Sequence, residues 1–273
     1  MCFKREKCVR YWILLLGLLS SFQLAAVEVS GLYEVDLVAN SQSADDRVQV
    51  MKQGLFAVLN RVVVTDDIAK LPVVQTMLLN AGQYVKQFQY AALNEQEAYS
   101  EQIARKVHIE FDEEQILNIL QKNQLALWDE TRPQTLVWLV VEEEEGSQQF
   151  YNADTMPDIE SAFNLAAKVK GVPMIFPLLD LDEQQAVSVD TVLAMNSSKL
   201  LAASARYEVT SVAVAKIAKH GNCWQGSWAF HFDGKVKQWS GLCQPLRASV
   251  LAGAQGIYEV LSNYYAARPS THH

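Results

Sequence analysis

Residues 207–241 read YEVTSVAVAKIAKHGNCWQGSWAFHFDGKVKQWSG. Short runs of β-branched and aromatic residues are broken at Gly221-Asn222 and at Asp233-Gly234, which predicts three consecutive antiparallel strands: Tyr207–Lys219, Cys223–Phe232 and Lys235–Gly241. A helical signal over Ser198–Arg206 precedes them. The stripe Leu246, Val250, Ala254, Ile257, Leu261 and Tyr265 follows them at helical spacing, so a closing helix lies on the meander.

The hairpin supports two registers. A two-residue turn at Asp233-Gly234 sets Trp228 opposite Trp239 and turns Cys223 to the opposite face from Cys243, which forbids a disulfide unless the strand bulges. A three-residue loop, Phe232-Asp233-Gly234, sets Cys223 directly across from Cys243. Asp-Gly favours the first register, whereas the second is favoured if the leader read below removes Cys2 and Cys8, because an exported chain then keeps two cysteines, 20 residues apart, to bond. Cys223–Cys243 is therefore a candidate structural disulfide, with no Cys-x-x-Cys motif to suggest redox catalysis.

Working outward, Thr135–Val141 is a continuous apolar run suited to a strand covered on both faces. Pro157-Asp158 opens a helix through Lys170 that Gly171 ends, and Val172–Leu179 reads as an edge strand because it carries Pro173 and Pro177. Upstream, Gly31–Val38 alternates as a half-buried strand. Ser43 precedes a helical pattern whose stripe is Val48, Met51, Leu55, Leu59 and Val62. A second helix runs from Leu71-Pro72 to Leu79, and the strands Tyr84–Leu93 and Ile103–Phe111 flank the polar loop Asn94–Glu97. Asp112 with Gln115 resembles a capping box for the helix Glu113–Lys122. The pattern is α+β: two consecutive α/β sandwich-like modules, the second ending in a three-stranded antiparallel meander and a C-terminal helix. The expected divisions are 27–130 and 134–267, with Trp128–Pro133 as the boundary and 268–273 as a frayed tail.

Residues 1–26 place Lys4, Arg5, Lys7 and Arg10 before the apolar run Tyr11–Leu19 and a small-residue exit at Ala25-Ala26, the pattern of a secretory leader. The run is too short for a spanning helix, which needs about 20 residues. An uncleaved inner-membrane anchor is the alternative; the expected location is the periplasm. The chain carries 31 acidic against 23 basic residues. Four of those bases and one acid lie in the leader, so the remainder is more acidic still. That balance argues against nucleic acid and anionic membrane surfaces as partners.

The order of segments, with Gln53–Arg61, the Trp128 to Pro133 junction running into Thr135–Leu139, and Gly171–Asp180, resembles the proteobacterial family catalogued as domain of unknown function 2066. Such a family implies no catalytic residue. The helix, meander and closing helix of the second module also resemble the TolB amino-terminal type of domain, at the level of fold.

Candidate chemistry is sparse. Cys223 and His231 stand eight residues apart on one strand, about 26 Å, so a zinc site with His220 and Cys243 fails on distance, and no metal or cofactor is expected. Trp224, Trp228 and Trp239 are candidates for a sugar-stacking surface, against burial under the closing helix. Asp180 and Asp182, with Glu183, form the best acidic cluster for acid–base or metal chemistry; capping by Asp182 competes with it. Arg132 is a candidate carboxylate or phosphate ligand, against a role in locking the junction. Nucleophile elbows, phosphate loops and His-Glu-x-x-His are missing. The expectation is a non-enzymatic envelope protein that binds an envelope protein partner, with cell-wall glycan or a small ligand as the alternative and a carboxylate-dependent hydrolase behind both.

Overall fold

The computed structural model describes residues 26–65, 67–91, 105–195 and 198–266. The leader expected at 1–26 lies outside these, Ala26 apart, as do the tail at 268–273 and the loop Asn94–Glu97. The N-terminal module begins with β1 (Ala26–Glu28) and β2 (Glu34–Ala39), followed by α1 (Ala44–Val62), α2 (Pro72–Leu79), β3 (Val85–Ala91), β4 (Arg105–Phe111) and α3 (Glu113–Lys122). Its sheet is antiparallel in the order β2-β4-β3.

Ser43 caps α1 by accepting from the Asp46 amide, and Asp112 caps α3 by accepting from Gln115 at both its backbone and its side-chain nitrogen. The core packs Leu55, Val58, Leu59 and Val62 of α1 against Val35, Val107, Ile109 and Phe111 of the sheet, with Ile116 and Leu120 of α3. Gly54 permits the contact: a Cβ there would lie 2.9 Å from Val35 and 3.1 Å from Phe111. The expected stripe is correct at Leu55, Leu59 and Val62. It is displaced at its first member, since Val48 is exposed and Val50 is buried instead. β2 starts three residues later than expected because Gly31, at φ +73°, turns the chain and its carbonyl accepts from the Glu34 amide.

The second module follows through β5 (Thr131–Pro133), β6 (Thr135–Glu142), β7 (Gln148–Phe150), α4 (Pro157–Lys170), β8 (Met174–Ile175), α5 (Leu181–Ala186), α6 (Val189–Leu193), α7 (Ser198–Ser204), β9 (Ser211–His220), β10 (Cys223–Phe232), β11 (Lys235–Ser240) and α8 (Leu246–Ala266). The sheet order is β11-β10-β9-β6-β7, with β8 also on β6. β6 pairs in parallel with β9 and β8, and antiparallel with β7. Val137, Leu139 and Val141 of β6 face α4 and α8, while Leu136, Trp138 and Val140 face α5–α7. The apolar run is thus covered on both sides.

The expected strand Val172–Leu179 shrinks to Met174–Ile175. Pro173 and Pro177 have no amide to give to a ladder, and the amides of Leu178 and Leu179 bond to side chains instead.

Asp233 and Gly234 both have positive φ, 51° and 70°, and Trp228 pairs with Trp239 in the two-residue register. Cys223 and Cys243 are nevertheless bonded, with their Cα atoms 5.4 Å apart. The register holds through the bond from the Gly241 amide to the Gly226 carbonyl, and Trp224 then pairs with Gln244. Two residues, Leu242 and Cys243, therefore oppose Gln225 alone. This bulge shifts the register by one and brings both sulfurs to the same face.

The segment between the modules is a packed junction. Arg61, from α1, donates to the carbonyls of Gly31, Leu32, Glu34 and Val169. Arg132, from β5, donates to Asp129, Lys170, Gly171, Arg61 and Trp128 carbonyls, and its guanidinium stacks 4.2 Å over Trp128. Two buried cations thus neutralise the C-terminal carbonyls of α4, where the helix dipole is negative. β1 pairs with β5 along Ala26–Glu28, and Lys168 of α4 bonds Asp36 of β2. Burial pulls both arginines down from their ordinary value, to about 10.

Candidate functional site

β7 and β8 occupy one edge of β6 from opposite ends: β7 ends with Phe150 opposite Val140 and β8 with Ile175 opposite Leu136, leaving a gap between them in which the Leu139 carbonyl accepts from the Tyr151 amide. From that point the chain after β7 turns into α4 on one face of the sheet, and the chain after β8 turns into α5 on the other. Two connections leaving one edge toward opposite faces must open a crevice between them, as at the switch point of an open α/β sheet. The crevice measures 760 Å³. Phe150, Tyr151 and Phe176 form its aromatic wall, Asp154, Glu160, Asn164, Gln184 and Ser188 its polar side, and Leu178 and Leu179 its lip.

The lip is held by a buried carboxylate. Glu183 is 2% exposed. One of its oxygens accepts from the Leu179 amide at 2.6 Å and the other from the Tyr207 hydroxyl at 2.5 Å. Tyr207 in turn accepts from the Leu178 amide at 2.7 Å. Burial, followed by the bond to Glu183, pushes the Tyr207 hydroxyl up to about 12. Leu179 has φ +52°, a left-handed conformation that disfavours a branched side chain by about 1–2 kcal/mol. The turn directs Leu178 and Leu181 outward, at 73% and 75% exposure.

Asp180 and Asp182 are placed differently. Asp180, rather than Asp182, caps α5 by accepting from the Glu183 amide, and Arg206 pairs with its other oxygen at 2.8 Å. The amide and Arg206 together hold Asp180 below the usual carboxylate range. Asp182 lies exposed in the first turn. Among the described residues no group of His, Cys, Asp and Glu could hold a metal ion.

Arg132 is fully buried and commits its donors to carbonyls, so it offers nothing to a carboxylate or phosphate and locks the junction through backbone oxygens, with the Asp129 charge nearby. The tryptophan surface is also corrected. Trp228 is 3% exposed and stacked on Trp239, and the two rings cover Gly253 and Gly256 of α8, where a Cβ would approach to 2.0 and 2.4 Å. They are core because the sheet face they occupy lies under a helix with room for indoles. Trp224 and Trp239 are both half-buried, and Trp224 lies beside Pro245 and Arg247. The bonded Cys223 and Cys243 pin the bulge described above.

Sequence reasoning quoted Glu183 but missed its role, and it missed Tyr151, Leu178, Leu179 and Tyr207. The available signal was Pro177-Leu178-Leu179-Asp180, two leucines ahead of a capping aspartate. The left-handed turn at Leu179 that leaves Leu178 exposed makes no mark in composition.

A family described as domain of unknown function DUF8605 matches residues 26–129, the N-terminal module. It is not the 2066 family, which the comparisons do not show. No curated protein matches the chain. Among solved structures, the LpoB C-terminal domain from Salmonella enterica is similar at 19% identity and a TM-score of 0.29, over 48% of this chain and 92% of that one. A likeness at that score leaves function to be argued from the site. No helix of the described residues is long and apolar enough to cross a membrane.

Proposed function

We propose that this chain is a non-enzymatic interaction or assembly factor of the cell envelope, and that it engages its protein partner through the crevice and its leucine lip. One observation carries the reading. A buried carboxylate holds a left-handed turn whose outcome is two leucines in solvent beside an aromatic-walled cleft. Unfavourable backbone geometry persists where surrounding structure over-determines it, and exposed apolar groups beside a cleft favour a partner. The Cys223–Cys243 bond and the basic, then apolar, N-terminal segment support an oxidising compartment outside the cytoplasm. The likeness to the 2066 family belongs to this proposal and adds no chemistry to it.

The test is crosslinking in cells followed by capture of the tagged protein, comparing wild type with Leu178→Ser/Leu181→Ser. A reproducible envelope partner that the double variant loses, with folding stability within about 0.5 kcal/mol of wild type, is the expected result. Recovery of the protein as an isolated monomer, or a partner retained undiminished by the variant, overturns the reading.

A further inference from the structure

The two edges of the second module's sheet are built differently. At one edge β7 spans three residues and β8 two, Pro173 and Pro177 interrupt the chain, and side chains take the amides of Leu178 and Leu179. Such an edge resists pairing with another strand. The other edge is β11, six residues without a proline, and among the described residues no further strand pairs with it. Bonded and non-bonded residue pairs alternate along an antiparallel ladder. The two-residue turn makes Phe232 and Lys235 a bonded pair, and the Gly241 amide, donating to the Gly226 carbonyl, fixes the same parity at the far end. Val236, Gln238 and Ser240 therefore turn their N–H and C=O groups away from β10 into solvent, at intervals of about 7 Å. All three residues are exposed.

Charge supplies a second, independent observation. The chain as a whole is acidic, but residues 211–247 hold Lys216, Lys219, Lys235, Lys237 and Arg247 against Asp233 alone. Lys216 is committed to Glu142 and Lys237 to Glu259. Lys235, at the start of the open edge, has no ion-pair partner among the described residues. Lys235 and Lys237 stand across from Phe232 and Phe230, on the face that α8 covers, and Val236 and Gln238 stand on the other.

We propose that the β11 edge receives an extended acidic segment of another protein, added to the sheet as an antiparallel strand. The incoming backbone bonds Val236, Gln238 and Ser240. Its carboxylates lie opposite Lys235 and Lys237, with an uncharged residue between them opposite Val236. In strand addition the backbone bonds supply attachment and alternate side chains supply selection. The lysines select in both directions: they oppose edge-to-edge pairing of two copies of this chain, and they favour a strand that carries carboxylates. Lys237 is shared with Glu259, so Lys235 carries the larger part of the preference. The proposal does not rest on the crevice, which opens at the opposite edge of the sheet.

Three acetylated heptapeptide amides test it: glutamate alternating with valine, glutamine alternating with valine, and the glutamate peptide N-methylated at its valines, whose amides meet the edge. Each is titrated into the full-length protein at low ionic strength and followed by amide chemical shifts and hydrogen exchange. The glutamate peptide should bind about fivefold tighter than the glutamine peptide, the effect of two cross-strand charge pairs. Shifts and slower exchange are expected at Val236, Gln238 and Ser240. N-methylation should weaken binding by about tenfold or more. Lys235→Gln/Lys237→Gln should reduce the glutamate preference to about twofold or less. Gln238→Pro removes an N–H that β10 does not use, so it should abolish binding while exchange in β9 stays unchanged. If that variant fails to fold, the N-methylated peptide makes the same test on the wild type. Equal binding of the glutamate and glutamine peptides, binding that N-methylation does not weaken, binding without shifts along β11, or no binding overturns the proposal. So does a dimer of the chain that Gln238→Pro dissolves, which would give the edge to a second copy. Slow exchange at Val236, Gln238 and Ser240 in the free protein, lost on truncation after Ala266, would give the edge to residues 267–273 and overturns it as well. The titration reads β11 alone, so its failure leaves the crevice reading standing, and the reverse holds.

Discussion

The junction between the modules and the lip of the crevice are built on the same device with opposite outcomes. At the junction Arg61 and Arg132 are buried and direct their donors to backbone carbonyls; at the lip Glu183 is buried and, directly and through Tyr207, holds the amides of Leu178 and Leu179. Each charge substitutes for hydrogen bonds that regular secondary structure does not supply there. The junction ends with its apolar groups covered, Trp128 stacked between Arg132 and Tyr265. The lip ends with Leu178 in water, and Leu181 just beyond it is exposed as well. A buried charge therefore marks a backbone geometry that must be held, and what it leaves exposed decides whether holding it serves the fold or a partner.

The comparison breaks most visibly at Arg132. Arg132→Met keeps length and apolar stem but leaves five carbonyls, those of Asp129, Lys170, Gly171, Arg61 and Trp128, without their donor. A loss of more than about 3 kcal/mol is expected in urea unfolding, because each buried group left unbonded costs about 1–3 kcal/mol. A variant as stable as wild type would show that the junction tolerates open carbonyls and that the arginine is not its lock.

Glu183→Gln should act at about half that scale. Glutamine keeps an acceptor for the Leu179 amide, but its nitrogen can only donate, so the Tyr207 hydroxyl must turn its proton away and accept instead, and two bonds to a charged carboxylate become weaker neutral ones. A loss of about 1–2 kcal/mol is expected, with faster hydrogen exchange at Leu178 and Leu179 and unchanged exchange in β9 and β10. Exchange that rises uniformly would place Glu183 in the global core instead of the lip.

Much of the fold was legible because periodicity and punctuation carry it. The meander, the double-covered strand Thr135–Val141 and the cap at Asp112 follow from alternation, an unbroken apolar run and capping spacing. The hairpin shows where legibility stops. Asp233-Gly234 fixed one register and the two cysteines demanded the other, and the extra residue at Leu242-Cys243 that satisfies both is a local backbone event with no composition of its own. The site was less legible still. Capping was read from the sequence but assigned to Asp182 where Asp180 does it, the junction lock was read for Arg132 but with an acid where backbone carbonyls serve, and the core alternative holds for Trp228 and Trp239, which fill the space above Gly253 and Gly256. Leu178 looked like a strand residue, because nothing in its neighbours announces that Glu183 will take the amide after it.

The smallest expected effect lies at the rim of the junction, where Asp36 of β2 meets Lys168 of α4 and His108 of β4. The hydrogen bond from Lys168 and that from His108, opposed by partial burial, hold the Asp36 carboxyl below its ordinary value. A carboxyl whose folded pKa is depressed adds stability that is fully present above its unfolded value, near 3.9, and is lost as pH falls through the folded value. More than half of the Asp36 side chain is exposed, so the pair contributes well under about 1 kcal/mol and weakens with salt. Wild type should exceed Asp36→Asn by a few tenths of a kcal/mol at about pH 6, and the two should converge by about pH 2.5. The outcome that would redraw the comparison is a gap at pH 6 as large as that of Arg132→Met. The modules would then be joined by their surface ion pair, with the buried arginines serving the α4 terminus alone.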